Sequence, residues 1–251
     1  MNKKDEQEAK KILKLTAERD RLKELMVFEE QYKNYGLVCG IDEAGRGPFA
    51  GPVVAGAVVL DLDNPEHEIL YLNDSKKLSE KKRESIYKEI IKNSVAVGIG
   101  YSGAKIIDEI NILQATYRAM RMAINNLRNV NCIYSGDMEI HDLVKALVNL
   151  ELKSNENPEK IIPGFILADA VKIPEIYIPQ MGIVKGDAKS VSIAAGSIIA
   201  KVTRDHIMYE YDKLHPEYGF ASHKGYGTKA HIEAIKEHGM LDIHRRSFIH
   251  F

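Results

Sequence analysis

Two adjacent acids, Asp42 and Glu43, follow the apolar stretch Leu37-Val38-Cys39-Gly40-Ile41 and precede the glycine-rich Ala44-Gly45-Arg46-Gly47-Pro48. Side chains alternate faces along a strand, so neighbours can serve one site only if the backbone kinks there, as Gly45 and Gly47 would permit. Two carboxylates brought together raise each other's pKa unless a divalent cation neutralises them, and a hard, oxygen-preferring ion is the natural occupant. Asp169 closes a second apolar run, Phe165-Ile166-Leu167-Ala168, and Asp187 stands in Val184-Lys185-Gly186-Asp187-Ala188-Lys189-Ser190, just ahead of a long helical segment. Four acids meeting at one end of a sheet suit magnesium or manganese, not zinc. Two such ions roughly 4 Å apart would activate water and stabilise the leaving oxygen in phosphodiester hydrolysis, with no serine or cysteine nucleophile. Each acid alone also reads as a turn former or helix cap, Asp187 most of all, and only the combination points to catalysis.

The elements that must carry these acids are legible from periodicity. Apolar, β-rich runs at 37–41, 52–60, 95–101, 132–134 and 165–169 predict strands, the first two adjacent in a sheet. Helical spacing with plausible caps predicts helices over 79–93, 111–127, 140–150 and 190–214, and another from Thr228. The polar segment around 153–160 reads as loop, and 136–163 as an insertion. Residues 1–36 mix Lys, Arg, Glu and Asp with Ile12, Leu13, Leu15, Leu22, Leu25 and Met26, which predicts one or two exposed helices. They read as a solvated extension packed on the domain, or as an arm touching nucleic acid or a partner; nothing in them looks chemical. Strands first, then helices alternating with strands, describe an α/β domain: a mixed sheet flanked by helices over 37–214, with a helical N-terminal extension (1–36) and a helical C-terminal segment (215–251).

Composition narrows the function less. The chain has 251 residues, 45% apolar and 28% charged, enough for one sizeable core. A formal net charge of -1 removes the argument that a basic protein binds nucleic acid, so attraction to phosphate must come from local patches. No apolar run approaches the roughly 20 residues of a membrane helix, and no signal-like stretch follows Met1, so a cytoplasmic protein without membrane contact is expected. Cys39 and Cys132, outside any CxxC pair or zinc spacing, read as buried core thiols.

The string from Gly40 to Val54, Gly-Ile-Asp-Glu-Ala-Gly-Arg-Gly-Pro-Phe-Ala-Gly-Pro-Val-Val, resembles the signature opening of ribonuclease HII. Further resemblance follows in order at Asn73-Asp74-Ser75-Lys76-Lys77-Leu78-Ser79, at 108–116, at Lys185-Gly186-Asp187, at 200–205, at His223-Lys224-Gly225-Tyr226-Gly227-Thr228, and at His244-Arg245-Arg246-Ser247-Phe248. It covers about 37–248 and implies a ribonuclease H-like sheet. It also implies two Mn2+ or Mg2+ ions held by Asp42, Glu43, Asp169 and Asp187. The family often has Asp-Gly-Asn after the third of these acids. Here Asp169-Ala170-Val171 departs from that, and Asp137 is the competing candidate.

The resemblance assigns Gly45, Arg46 and Gly47 to a loop whose backbone recognises the ribonucleotide 2′-hydroxyl. Glycines do let main-chain groups approach a sugar closely, and that hydroxyl distinguishes RNA from DNA. Taken without the neighbouring acids, the same loop is a tight turn with Arg46 in a surface ion pair. Tyr226 is similar to the family's tyrosine that stacks on the sugar beyond the ribonucleotide and reads an RNA-to-DNA junction; otherwise it fixes a turn. Lys76, Lys77, Lys185, Lys189, Lys224, Arg245 and Arg246 are candidate phosphate contacts, with solvated charge as the default for any one. The expected substrates are RNA/DNA hybrid and duplex DNA containing ribonucleotides, cut by a monomer on the 5′ side of the ribonucleotide to leave a 5′-phosphate and a 3′-hydroxyl, in the service of ribonucleotide excision and hybrid removal. The rivals are another acid-cluster enzyme, a junction resolvase or DNA nuclease, and a non-catalytic duplex-binding module.

Overall fold

A computed structural model describes residues 3–129, 138–149 and 159–251. The expected strand at 132–134, with Cys132, and the competing acid Asp137 lie outside the described residues. Five strands, β1 (Val38–Ala44), β2 (Val53–Leu60), β3 (Ser94–Ser102), β4 (Phe165–Asp169) and β5 (Gln180–Ile183), form one sheet in the order β3-β2-β1-β4-β5. β1 pairs antiparallel with β2, and β2 with β3; β1 with β4 and β4 with β5 are parallel. The expected mixed sheet is present, and the acid-bearing β1 is its central strand. β5 escaped the sequence reading because Gln180-Met181-Gly182-Ile183 buries only its last residue and so has no apolar run to detect.

Eight helices are described: α1 (Lys3–Leu25), α2 (Val27–Tyr32), α3 (Glu80–Asn93), α4 (Ala104–Asn125), α5 (Ile140–Asn149), α6 (Val191–Leu214), α7 (Phe220–His223) and α8 (Lys229–His238). Side-chain caps start three of them where the sequence placed them: Ser79 accepts from the Lys82 amide, Ser190 from Ile193 and Thr228 from His231. α4 begins ahead of the expected 111. Asn111, at φ 65° and ψ 165°, interrupts it, and its side chain accepts from the Leu113 and Gln114 amides, so the predicted start is a second cap inside a longer kinked helix. Among the described residues no helix is long and apolar enough to cross a membrane.

Alternation along β2 assigns the two faces of the sheet. Val54 and Val58 pack under α6, with Ile86 and Ile90 of α3, Leu143 and Leu147 of α5, and Leu22 of α1; Val53, Ala55, Ala57 and Val59 pack under α4. β2 is buried throughout, which is why it reads as an unbroken apolar run. α6 lies unusually close to the sheet. A Cβ on Gly40 would fall 2.0 Å from the Ser192 carbonyl carbon, and one on Gly56 would fall 2.5 Å from the Gly196 oxygen. Main chain meets main chain along this seam, and helix α6 is thereby fixed over β1.

The N-terminal extension is anchored more firmly than its charge suggests. Glu29, only 2% exposed, lies at the start of α6: its Oε1 accepts from the Ser190 hydroxyl (2.5 Å), the Ser192 hydroxyl (2.6 Å) and the Ser192 amide (3.0 Å). Negative charge at a helix N-terminus is also favoured by the exposed amide dipoles. The extension is thus packed on the domain through a buried carboxylate as well as through its apolar residues. Glu29→Ala is expected to cost about 2 kcal/mol, from charge-assisted hydrogen bonds left unmade; urea unfolding measures it, and a loss under 0.5 kcal/mol would show that the serines cap α6 unaided.

Candidate active site

β1 and β4 run parallel, with Ile41 opposite Ala168. Asp42 and Asp169 are the next step on each strand, side by side where β4 ends and two residues before β1 does, about 5 Å apart by strand spacing. Both belong to the face that carries α6, since Ile41 and Ala168 pack on the α4 side. Asp187 lies in a short 3-10 turn, Gly186–Ala188, immediately before α6. Asp169 Oδ1 accepts from the Gly186 amide at 2.7 Å, which ties the turn to the end of β4. The seam between α6 and β1 completes the arrangement by bringing Ser197 of α6 to Asp42 as a hydrogen-bond donor; Ser197 itself pairs with Ser75 at 3.0 Å.

The expected kink between Asp42 and Glu43 is absent. β1 continues through Ala44, with Asp42 opposite Gly56 and Glu43 opposite Ala55, so alternation runs unbroken through both acids. Gly45, at φ 92°, turns the chain only afterwards, and a Cβ there would collide with Arg204. Glu43 sits at the strand's lip, its Oε1 3.3 Å from Arg46 Nη1, the ion pair that a plain turn would also show.

Electrostatics join the four acids. Asp42, 5% exposed, has a carboxyl raised well above its usual range by burial and then by Glu43 and Asp169. Glu43 is raised by burial with Asp169 adding to it, against Arg46 and Lys76, and Asp187 by burial, Asp74 and Asp169. Lys76 favours the charged forms of both Glu43 and Asp187, whereas among the described residues no cation forms an ion pair with Asp42. Asp74 is a fifth acid that sequence reasoning quoted without weighing. Its side chain accepts from the Lys76 amide, so its visible signal was that of a turn former.

Three of the four acids are meanwhile held by internal donors: Asp42 by the Glu43 amide (2.7 Å), Glu43 by Arg46, Asp169 by Gly186. Among the described residues no three Asp, Glu, His or Cys side chains stand at the spacing of one coordination sphere. An all-oxygen donor set whose most buried member has no cationic partner nevertheless fits a hard divalent cation, whose charge would offset the repulsion that now turns the carboxylates to separate donors.

Behind the 45–52 loop are two buried arginines that sequence reasoning did not place there. Arg204 donates to the carbonyls of Pro52 (3.0 Å) and Ala50 (3.1 Å), and Arg245 to those of Gly45 (2.6 Å), Arg46 (2.8 Å) and Gly51 (3.0 and 2.8 Å). Arg245 is fully buried, which corrects its assignment as a phosphate contact: it holds the loop from within. With these carbonyls turned inward, the Arg46 and Gly47 amides have no internal acceptor among the described residues. Tyr226 is 48% exposed, and its ring lies 3.8 Å from where a Gly47 Cβ would be, so loop and tyrosine are neighbours. Lys77, Lys185, Lys189 and Arg246 are exposed. Lys224 Nζ is engaged by the Ala221 carbonyl and lies over the Tyr209 ring, leaving it poorly placed for phosphate.

The mixed sheet is that of the ribonuclease H class, and acids on adjacent parallel strands are the donor type that metal-assisted phosphodiester hydrolysis needs. The sequence model described as Ribonuclease HII matches residues 39–251. The chain is 52% identical over 236 residues to a ribonuclease HII of Lachnoclostridium phytofermentans, spanning 94% of this chain and 79% of that one. It is 48% identical over 243 residues to a ribonuclease HII of Clostridioides difficile, spanning 96% and 82%. The crystal structure of the ribonuclease H2 from Pyrococcus horikoshii OT3 superposes with a TM-score of 0.60 at 27% identity, over 84% of this chain and 92% of that one. The chain belongs to the ribonuclease HII family, and it is a type HII ribonuclease H, an endonuclease acting on nucleic acid. The family is metal-dependent.

Proposed function

We propose that this enzyme hydrolyses the phosphodiester on the 5′ side of a ribonucleotide, in RNA/DNA hybrids and at single ribonucleotides within duplex DNA, leaving a 5′-phosphate and a 3′-hydroxyl. The observation that carries this reading is the register of β1 and β4, which sets Asp42 beside Asp169 one residue before Glu43 and three before the loop at Gly45. Asp42, Glu43, Asp169 and Asp187 would hold two magnesium or manganese ions. Bound there, the ions supply the Lewis acidity that activates water and stabilises the leaving 3′-oxygen. The chain's own residues do the rest. Ser197 and the Glu43 amide orient Asp42, while Gly186 orients Asp169 and so carries the turn of Asp187 with it.

Substrate choice falls to the loop. The amides of Arg46 and Gly47, without an internal acceptor among the described residues, can donate to a 2′-hydroxyl, and Arg46 and Lys76 offer charge to the flanking phosphates. Lys77 and Lys185 extend that surface, with a smaller part for Lys224. Tyr226, supplied by the 215–251 segment, stacks on the sugar beyond the ribonucleotide. Three duplexes differing only in ribonucleotide content, run with each metal, test the assignment. Cleavage is expected 5′ of a single ribonucleotide and within a hybrid, and all-DNA duplex should stay intact. Equal cutting of all three would favour a general DNA nuclease instead.

A further inference from the structure

Tyr226 has a neighbour that the proposed reaction does not use: a buried cluster of imidazoles on and around α8. His231 is fully buried and His244 is 2% exposed, and their Nε2 atoms lie 3.1 Å apart. Hydrogen-bond partners leave one protonation pattern. The Leu241 amide donates to His244 Nδ1 at 2.8 Å, so the His244 proton must be on Nε2. It therefore donates to His231 Nε2, and the His231 proton must be on Nδ1, where it donates to the Tyr226 carbonyl at 2.9 Å. Both rings are neutral, each is donor once and acceptor once, and the chain ends on the backbone of the exposed tyrosine. His223 stacks on His231 at 4.4 Å and accepts from the Gly225 amide, while the Gly225 carbonyl accepts from Phe49 and Ala50 of the 45–52 loop. His244 is also bridged to Ala50.

We propose that His231 and His244 are positioning residues for substrate discrimination: a neutral, hydrogen-bonded imidazole pair that fixes the Tyr226 backbone and with it the ring's placement against the sugar beyond the ribonucleotide. This rests on the assignment of Tyr226 to the RNA-to-DNA junction. The surroundings keep the pair neutral. Phe220 and His223 face His231, and Tyr218, His215 and Arg246 lie around His244, with no carboxylate among the influences on either ring. Burial, reinforced by His231, brings His244 down to about 4, so the chain of hydrogen bonds persists through the neutral range and does not act as a switch.

The test compares kcat and KM on a duplex with one embedded ribonucleotide and on a continuous hybrid. Tyr226→Ala comes first: if it leaves the ratio of the two kcat/KM values unchanged, the junction assignment falls and the role of the pair goes with it. If the ratio drops, His244→Leu, which cannot donate to His231, should lower it about tenfold, while His244→Gln, whose amide can donate, should restore most of the loss. A ratio unchanged by His244→Leu, in an enzyme where Tyr226→Ala does change it, overturns the proposal. So does a further drop when His244→Leu is added to Tyr226→Ala, because a positioning role has nothing left to act on there. Ring-nitrogen NMR of the unsubstituted protein adds a readout that no variant has to fold for. His231 protonated on Nδ1 and His244 on Nε2 supports the pair; the reverse tautomer on either ring refutes it.

Discussion

Asp42→Asn should lower kcat on a ribonucleotide-containing duplex by roughly a thousandfold or more, about 4 kcal/mol of lost transition-state stabilisation, and should at the same time raise Tm in the metal-free protein. The second effect follows from linkage. The Asp42 carboxyl has a folded pKa above its unfolded value, so between those two values the folded state binds more protons, and stability falls as pH rises through that window. Above the unfolded value that penalty accumulates with pH, and asparagine, which carries no charge, removes it, a gain of about 1–2 kcal/mol of the kind seen when a functional site is relaxed. Divalent ions reverse the order, since only the unsubstituted enzyme gains by binding them tightly. Calorimetry with and without magnesium measures both halves; a variant that turns over normally, or melts lower when metal-free, refutes the electrostatic account of this site.

Arg245→Ala is the second large effect, and it acts on stability and specificity together. The guanidinium satisfies three carbonyls with four hydrogen bonds, and burial followed by the neighbouring Arg204 brings its pKa down to about 9. Removing it strands the buried Gly51 carbonyl and the partly buried carbonyls of Gly45 and Arg46, at up to about 1–3 kcal/mol each when left unsatisfied, so a loss of about 3 kcal/mol in denaturant unfolding is expected after relaxation. Lysine cannot substitute, because one ammonium does not reproduce a planar fork. The surviving folded fraction should cut all-DNA duplex and ribonucleotide-containing duplex with less contrast, as the loop loses its inward carbonyls. A stability change below 1 kcal/mol would show that Arg204 holds the loop alone.

The sequence disclosed elements where a single physical signal dominated. β2 is apolar because both faces are covered, and α3, α6 and α8 begin at serine or threonine caps that satisfy a free amide. β5 stayed hidden because an edge strand with one buried residue has no pattern, and the first turns of α4 because Asn111 looked like a start when it is an interruption. In the site, Asp42 and Asp169 were visible as acids ending apolar runs, which is where parallel strands open. The expected kink proved unnecessary: alternation turns Asp42 and Glu43 to opposite faces of β1, yet at the lip of the sheet both carboxylates still act on Asp169. Arg204, Arg245, Ser197, His231 and His244 carry nothing in their spacing that marks them. Their roles depend on which backbone they meet, and only the folded chain shows that.

The seam where α6 rests on β1 and β2 has a consequence for how this enzyme can change over time. With no side chain on Gly40 or Gly56 at the contact, there is no filler to trim or enlarge. A methyl would push the helix away bodily, and nothing smaller than hydrogen exists to let it closer. The span from the acid on β1 to the acid ahead of α6 is therefore dictated by peptide geometry and is insulated from drift elsewhere in the core. A substitution at Gly40 or Gly56 would therefore be felt first as a change in that span, whereas changes in loops and surface charge leave it alone.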